Sequence, residues 1–184
     1  MTMATDLFLG KVHDLQSKVS RSAQDIIREG GWFFKRIATY TEASPLVITE
    51  GTTVNLPIPA NDTGEQRGNL LNFSYDYINQ LFRPTTAGEV YLTEIKFMCK
   101  PTNQAGHLDL ILEIPDYPFN PINGTTLTFN KSAGEEHFFS SNFIPFISQE
   151  FADDGARLMV RAVGTDVSIY NYNFIFVRLH SNKG

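Results

Sequence analysis

The chain has 184 residues, of which 42% are hydrophobic and 19% charged, a balance that excludes disorder for most of its length. Its formal net charge of −5 disfavours electrostatic binding to nucleic acid or to anionic lipid. Cys99 is the single cysteine, so an internal disulfide and a multi-cysteine metal site are both excluded. No apolar run is long enough for a helix that crosses a bilayer, and the first residues lack the features of a secretory signal. We therefore expect a protein made in the cytoplasm that does not act in a membrane.

The first part of the chain has helical character from residue 5 to about residue 38. Its apolar residues follow the alternating four-and-three spacing of a heptad seam and are Phe8, Val12, Leu15, Val19 and Ile26. Gly30-Gly31 ends this helix. Because so few turns do not hold an isolated coiled coil together, the helix must dock on sister copies or on another protein.

A second apolar cluster follows the helix. Trp32 and Phe33, with Phe34, are interpreted as a peg that docks into a protein, in preference to a wedge that enters a membrane. Residues 1–44 are therefore predicted to be an anchoring arm, and residues 45–184 a separate β-domain.

From Pro45 onwards the sequence predicts eight to ten strands, no sustained helix and no internal repeat. The clearest strand alternates Leu108, Leu110 and Leu112 with polar residues, as expected when one face is buried and the other is solvated. Residues 61–69 and 116–124 are predicted to be polar loops. The fold class is mainly β, an antiparallel jelly-roll sandwich with a short N-terminal helical arm.

The final strand, at residues 167–180, is apolar at almost every position. One predicted face carries aromatic side chains, namely Tyr170, Tyr172, Phe174 and Phe176. The opposite face contains Ile169, Ile175, Val177 and Leu179 as well as two asparagines. A strand with one solvated face should be polar at every second position, so this strand needs cover on both sides. The aromatic face is predicted to form a subunit interface; the alternative is that the N-terminal segment covers it within one chain.

Two stretches resemble trimeric jelly rolls of the tumour-necrosis-factor and complement type. One is residues 82–95, in which the aromatic Phe82 and a glycine precede Tyr91 at the start of a long strand; the other is the closing hairpin at residues 156–179. A helical N-terminus before a β body is also similar to small phage head-decoration and fibre proteins. The resemblance implies a homotrimer, with the Tyr170–Phe176 face towards the threefold axis and residues 1–44 bound to the capsid shell.

Catalytic candidates are sparse in this sequence. His107 and Asp109 lie two residues apart on one strand, which suits a general base and its orienting carboxylate, but a solvated strand edge is the favoured interpretation. A pair of acids for glycoside hydrolysis would have to come from Glu94, Glu113 and Asp109, and only the fold decides whether these converge.

A metal site is also disfavoured. Glu150, Asp153 and Asp154 could chelate calcium, but the calcium-loop spacing is absent and Asp-Asp-Gly is typical of a plain turn. Cys99 alternates with apolar residues and is interpreted as a core residue.

These observations favour a non-enzymatic structural protein of a virion, without cofactor or metal. The preferred hypothesis is a bacteriophage capsid decoration or cement protein, a homotrimer that binds the major capsid protein or another virion protein through its arm. The alternative is a receptor- or carbohydrate-binding module of a tail or fibre appendage, in which the loops at residues 61–69 and 116–124 recognise the ligand.

Overall fold

A computed structural model describes residues 31–70, 73–118 and 120–180, and within them it contains twelve strands and one short helix. In chain order the strands are β1 (Trp32–Arg36), β2 (Leu46–Ile48), β3 (Thr53–Asn55), β4 (Gln66–Asn69), β5 (Phe73–Asp76), β6 (Leu81–Pro84), β7 (Val90–Pro101), β8 (His107–Glu113), β9 (Asn123–Thr128), β10 (His137–Phe143), β11 (Arg157–Val163) and β12 (Val167–His180). The helix, α1, is Gln149–Asp154. The predicted fold class is confirmed in its main part: the protein is mainly β and its sheets are antiparallel.

The strands form two larger sheets and one hairpin. The first sheet has six strands in the order β10-β7-β12-β1-β4, with β2 also paired to β12. The second has four strands in the order β3-β11-β8-β9, and β5 pairs with β6 alone. From β7 to β12 the chain crosses repeatedly between the two larger sheets, so residues distant in sequence become neighbours in each of them.

The core lies between the two larger sheets. Along β7 and β8 every second side chain is buried, as the period of two in a pleated strand requires. Ile95 and Phe97 of β7 and Leu108 and Leu110 of β8 are 0% exposed and belong to one hydrophobic cluster. The predicted half-buried strand at residues 108–114 is therefore confirmed.

Residues 32–36 belong to the body and not to an arm. They form β1, which pairs with β12 through Trp32↔Val177 and Phe34↔Ile175 and with β4 on its other side. The predicted helical character up to about residue 38 and the domain boundary at residue 44 are wrong here, because the backbone of this segment completes the six-stranded sheet. The seam residues Phe8, Val12, Leu15, Val19 and Ile26 lie outside the described residues.

The predicted loop at residues 61–69 is partly strand and is fixed to the body. Asp62 accepts hydrogen bonds at 2.8 Å from the backbone amides of Ala38 and Thr39, and its buried carboxylate lies 3.4 Å from the Lys35 ammonium. Partial burial by itself raises the pKa of Asp62, but these hydrogen bonds outweigh it and the pKa is lowered. The second half of the segment is β4, at the edge of the six-stranded sheet.

The predicted turn at Asp153-Asp154-Gly155 is the end of α1. The Ser148 hydroxyl caps the start of this helix by accepting from the Phe151 amide at 3.2 Å. Gly155 ends it with φ of 77°, and a Cβ there would lie 2.9 Å from the Phe82 carbonyl oxygen. In the part of the chain that the structure describes, no helix combines the length and apolarity that crossing a bilayer requires.

Candidate functional site: the outer face of the six-stranded sheet

The aromatic side chains predicted to form a subunit interface are buried within one chain. Tyr170, Tyr172, Phe174 and Phe176 are 1%, 0%, 0% and 3% exposed. Tyr172, Phe174 and Phe176 point into the core between the two larger sheets. The prediction that these side chains face a sister copy is therefore wrong, because their own chain already covers them.

A β-bulge separates Tyr170 from the other three aromatics. The pairing of β12 with β7 passes from Tyr170↔Met98 to Asn173↔Lys96, so β12 uses one residue more than its partner. Asn171 adopts a positive φ of 51° at this point. The bulge puts Tyr170 on the outer face, where the Lys100 ammonium lies 5.8 Å from its ring centroid and its hydroxyl donates to Glu136.

Beyond the bulge, the outer face of the six-stranded sheet is apolar at one end. The strand registers place Trp32, Val177 and Leu92 in one row and Phe34 beside Ile175 in the next. Phe146 joins the edge of this region through its bridge to Val90. We call the whole surface the apolar patch; its residues are Trp32, Phe34, Val90, Leu92, Ile144, Phe146, Ile175, Val177 and Leu179.

Large apolar side chains are well exposed in and around the apolar patch. Trp32 is 47% exposed, Leu179 54% and Phe146 63%. Of the eight large hydrophobic residues that are exposed in the described chain, six lie on this side of the protein. Such clustering distinguishes a recognition surface from the scattered apolar residues that every protein surface contains.

A polar band crosses the middle of the same face. Glu94 lies 2.9 Å from the Lys96 ammonium and accepts a hydrogen bond from the Ser140 hydroxyl at 3.0 Å. Asn173, beside Lys96, has a buried side-chain oxygen that accepts no hydrogen bond from any described residue. Because this oxygen is covered by its own chain, the groups of the band that a partner can contact are the partly exposed side chains of Glu94 and Lys96.

The outer face of the four-stranded sheet has the opposite character. Arg157 donates to Glu113 at 2.7 Å, and Arg161 donates to Asp109 at 2.7 Å, in two cross-strand ion pairs. His107 lies 3.7 Å from Asp109 on the same face. The His107–Asp109 pair is thus part of a solvated ladder of charges, as the favoured interpretation predicted.

The pKa of Asp109 follows from this ladder. Partial burial by itself raises the pKa, but hydrogen bonds from Thr126 and Arg161 and the nearby positive charges outweigh burial and lower it. Asp109 is therefore held ionised by its neighbours, which makes it a poor proton acceptor for catalysis.

The other catalytic and metal candidates do not converge. Glu94 lies on the outer face of one sheet, whereas Glu113 and Asp109 lie on the outer face of the other, each bound to an arginine. Among the described residues, no group of three or more His, Cys, Asp and Glu side chains is placed to hold a metal ion. Cys99 is buried in the core as predicted, and burial raises the pKa of its thiol to about 12.

The apolar sequence of β12 did indicate a contact surface, but the prediction placed that surface on the aromatic face of the strand, and the exposed apolar residues lie on the opposite face. Ile175, Val177 and Leu179 alternate with the aromatics and are the residues that one chain leaves partly or largely exposed. Ile144 and Phe146 gave no such signal, because they lie just after β10 and reach the patch only through the fold. Of the two residues predicted to dock into a partner, Trp32 is exposed, while Phe33 packs against the core of its own chain.

Comparisons with known proteins return solved structures alone. No family model and no curated protein matches the chain. The structure of the Eiger tumour necrosis factor from S. frugiperda matches with a TM-score of 0.48 and 12% identity, covering 84% of this chain and 94% of that one. PRD1 vertex protein P5 matches with a TM-score of 0.49 and 9% identity over 83% and 73% of the two chains. The structure of Broad Bean Stain Virus matches with a TM-score of 0.26 and 10% identity over 84% and 79%.

Proposed function

We propose that this chain is a non-enzymatic structural protein of a bacteriophage virion, a decoration or cement protein that forms a homotrimer and binds the capsid. Its body is a jelly roll, since the strand orders β10-β7-β12-β1 and β3-β11-β8-β9 are those of two interlocked Greek keys. The observation that carries the proposal is the apolar patch, which one chain exposes on a sheet face that otherwise would be solvated.

The occupant of the apolar patch in this proposal is a sister copy. Covering Trp32, Phe146 and Leu179 removes large apolar side chains from water, which is the main driving force for stable association. The polar band beside the patch fixes the orientation of the copies, because Glu94 and Lys96 must find complementary groups. A closed ring of three follows from the resemblance to trimeric jelly rolls.

The N-terminal residues are proposed to bind the shell. The described chain begins at Gly31, whose carbonyl accepts from the Arg178 amide at 3.2 Å, next to Val177 and Leu179 of the apolar patch. A trimer carries three such segments, and simultaneous binding multiplies modest individual contacts. Their proposed contact residues are Phe8, Val12, Leu15, Val19 and Ile26, whereas Trp32 of β1 belongs to the apolar patch that the sister copy covers.

Self-association is tested by placing charges in the apolar patch. The double variant Phe146→Glu, Leu179→Glu introduces charges at two exposed positions, so the body should still fold. We expect a trimeric mass for the native chain and a monomeric mass for the variant, measured by light scattering and native mass spectrometry. Ile78→Glu is the matched control, since Ile78 is 92% exposed on the β5–β6 turn and should leave the trimer intact.

A single-chain alternative is that residues 1–30 cover the apolar patch themselves. Deleting residues 1–30 separates the two ideas, and the deletion must stop there because residues 32–36 form β1. A trimer that no longer binds capsids supports the proposal. A native chain that is monomeric, and that aggregates only after this deletion, contradicts it.

A second candidate function is recognition of a receptor or carbohydrate. It is favoured by a cleft beside the β5–β6 hairpin. Of the two recognition loops that the sequence suggested, residues 61–69 contribute Gln66 and Gly68 to the lining of this cleft, and residues 116–124 contribute none. Recognition and self-association use different surfaces, so one does not exclude the other.

A further inference from the structure

A cleft opens between the β1–β4 edge of the six-stranded sheet and the β5–β6 hairpin. Its volume is about 300 Å³, and its lining includes Phe33, Gln66, Gly68, Ser74, Tyr75 and Tyr77. The cleft exists because β4 is an edge strand whose inner side is faced by a hairpin instead of the second large sheet. Gly68, opposite Phe33, is required there, since a Cβ would lie 2.2 Å from the Trp32 carbonyl oxygen.

The lining combines aromatic rings with uncharged polar groups. Tyr75 and Tyr77 meet edge to face, with ring centroids 5.2 Å apart, and Tyr77 is 39% exposed. The side chains of Gln66 and Ser74 are exposed and form no hydrogen bond with any described residue. None of the described residues that line the cleft is charged.

Tyr75 and Tyr77 are held in place by hydrogen bonds that do not depend on a ligand. The Gln80 side chain accepts from the Tyr75 hydroxyl at 2.7 Å and donates to the Tyr77 carbonyl at 2.6 Å. It also accepts from the Ile58 amide at 2.7 Å, which ties the hairpin to the body. The Asp76 carboxylate closes the turn by accepting from the amides of Ile78 and Asn79 at 3.0 Å. Preorganisation of this kind reduces the entropy lost on binding.

We propose that this cleft binds one uncharged sugar unit of a glycan. A sugar ring has an apolar face that packs on aromatic rings and hydroxyls that need hydrogen-bond partners, and the cleft offers both. The described residues of the lining include no cationic side chain, so the cleft does not suit a phosphate or a sialic-acid carboxylate. Its volume lies at the lower limit for small-molecule sites, roughly 300–1,000 Å³, which fits a single unit. The Tyr77 ring stacks on the sugar, and Gln66 and Ser74 bind its hydroxyls.

This inference is independent of self-association, because the cleft lies on the inner side of the β1–β4 edge and the apolar patch on the outer face. A monomeric protein with a functional cleft, or a trimer without sugar binding, would separate the two.

The test uses the full chain on an array of neutral and acidic glycans, followed by NMR titration with the best neutral monosaccharide. We expect saturable binding, weakened about tenfold by Tyr77→Ala, the cost of one lost aromatic stack. Gln66→Ala should weaken it by roughly threefold to tenfold through the loss of one hydrogen bond. Ile78→Ala, in the same turn but outside the lining, is the matched control and should bind as the native chain does.

Thermal unfolding of each variant checks that a loss of binding is not a loss of folding. Tyr77→Phe should retain binding because it keeps the ring. Absence of saturable binding to every neutral glycan overturns the proposal. Binding restricted to acidic glycans also overturns it, as does neutral-sugar binding that is equal in Tyr77→Ala, Gln66→Ala and the native chain.

Discussion

The two large sheets share one core but present opposite outer faces to their surroundings. On the four-stranded sheet, outward positions of β8 and β11 pair as Arg157 with Glu113 and Arg161 with Asp109. On the six-stranded sheet, the corresponding positions of β12 and its neighbours carry the apolar patch. The alternation of buried residues is equally regular in both sheets, so folding alone does not require the difference.

The contrast shows how a binding surface differs from a solvated one when both lie on the same kind of scaffold. Cross-strand ion pairs on an exposed sheet contribute little stability, but they keep the face soluble and free of partners. An apolar outer face gains nothing in an isolated chain and becomes favourable only when something covers it. The six-stranded sheet is therefore the face on which this protein is expected to form contacts.

The largest predicted effect is a loss of folding stability when a buried charge pair is broken, compared with the loss when an exposed pair is broken. Arg178 lies 3.1 Å from Glu89, and the two side chains are 5% and 1% exposed; Tyr91 also donates to Glu89 at 2.7 Å. Glu89→Gln removes the charge that compensates Arg178, so we expect the free energy of unfolding to fall by about 3 kcal/mol. Asp109→Asn, in the exposed ladder, should lower it by less than about 1 kcal/mol. Urea denaturation of both variants measures the difference.

The double variant Glu89→Met, Arg178→Met is the control for this comparison. Because it removes both charges from the interior, it should recover part of the stability that Glu89→Gln loses. Equal losses for Glu89→Gln and Asp109→Asn would show that burial does not distinguish the two pairs.

A smaller effect is expected at the bulge that determines which β12 side chains face outwards. Asn171 has φ of 51°, a conformation that asparagine tolerates and a β-branched residue does not. Asn171→Val should therefore lower the free energy of unfolding by roughly 1–2 kcal/mol, measured by urea denaturation. Asn171→Gly should be nearly neutral, because glycine adopts positive φ without steric cost. A stable Asn171→Val protein with unchanged Tyr170 burial would contradict this role for the bulge.

The long strands could be predicted from sequence because their patterns are local. β8 alternates apolar with polar side chains, and β7, β11 and β12 are runs rich in β-branched, aromatic and aliphatic residues bounded by turn residues. The aromatic content of β12 also indicated correctly that the strand is covered on its aromatic side. The source of that cover could not be deduced, since the core partners of Phe174 and Phe176 come from distant parts of the chain.

The remaining errors arise where tertiary pairing overrides local pattern. The run Trp32-Phe33-Phe34 is apolar at consecutive positions, and it is a strand because β12 and β4 supply its hydrogen bonds. β4 itself, Gln66–Asn69, has no apolar alternation and exists as an edge strand next to β1. The sequence also gives no sign of the bulge at Asn171, which places Tyr170 on the opposite face from Tyr172. The cleft depends on both β4 and the hairpin, so its place could not be predicted, although the loop at residues 61–69 that supplies Gln66 and Gly68 was suggested for ligand recognition.

The smallest effect is the pH dependence that the charged face contributes. The pKa of Asp109 is lowered in the folded chain, since Thr126 and Arg161 outweigh the opposing effect of burial. A carboxyl with a lowered folded pKa contributes stability that is present above its unfolded pKa of about 4 and is lost as pH falls through the folded value. Arg161→Met removes a hydrogen-bond donor and a positive charge, so the folded pKa of Asp109 should move back towards its ordinary value. Urea denaturation between about pH 2 and 5 should therefore show a shallower loss of stability in Arg161→Met than in the native chain, by less than about 1 kcal/mol because the pair is exposed. Lys96→Met on the six-stranded sheet provides the comparison, and an identical acid profile for Arg161→Met and the native chain would show that the ladder does not hold Asp109 ionised.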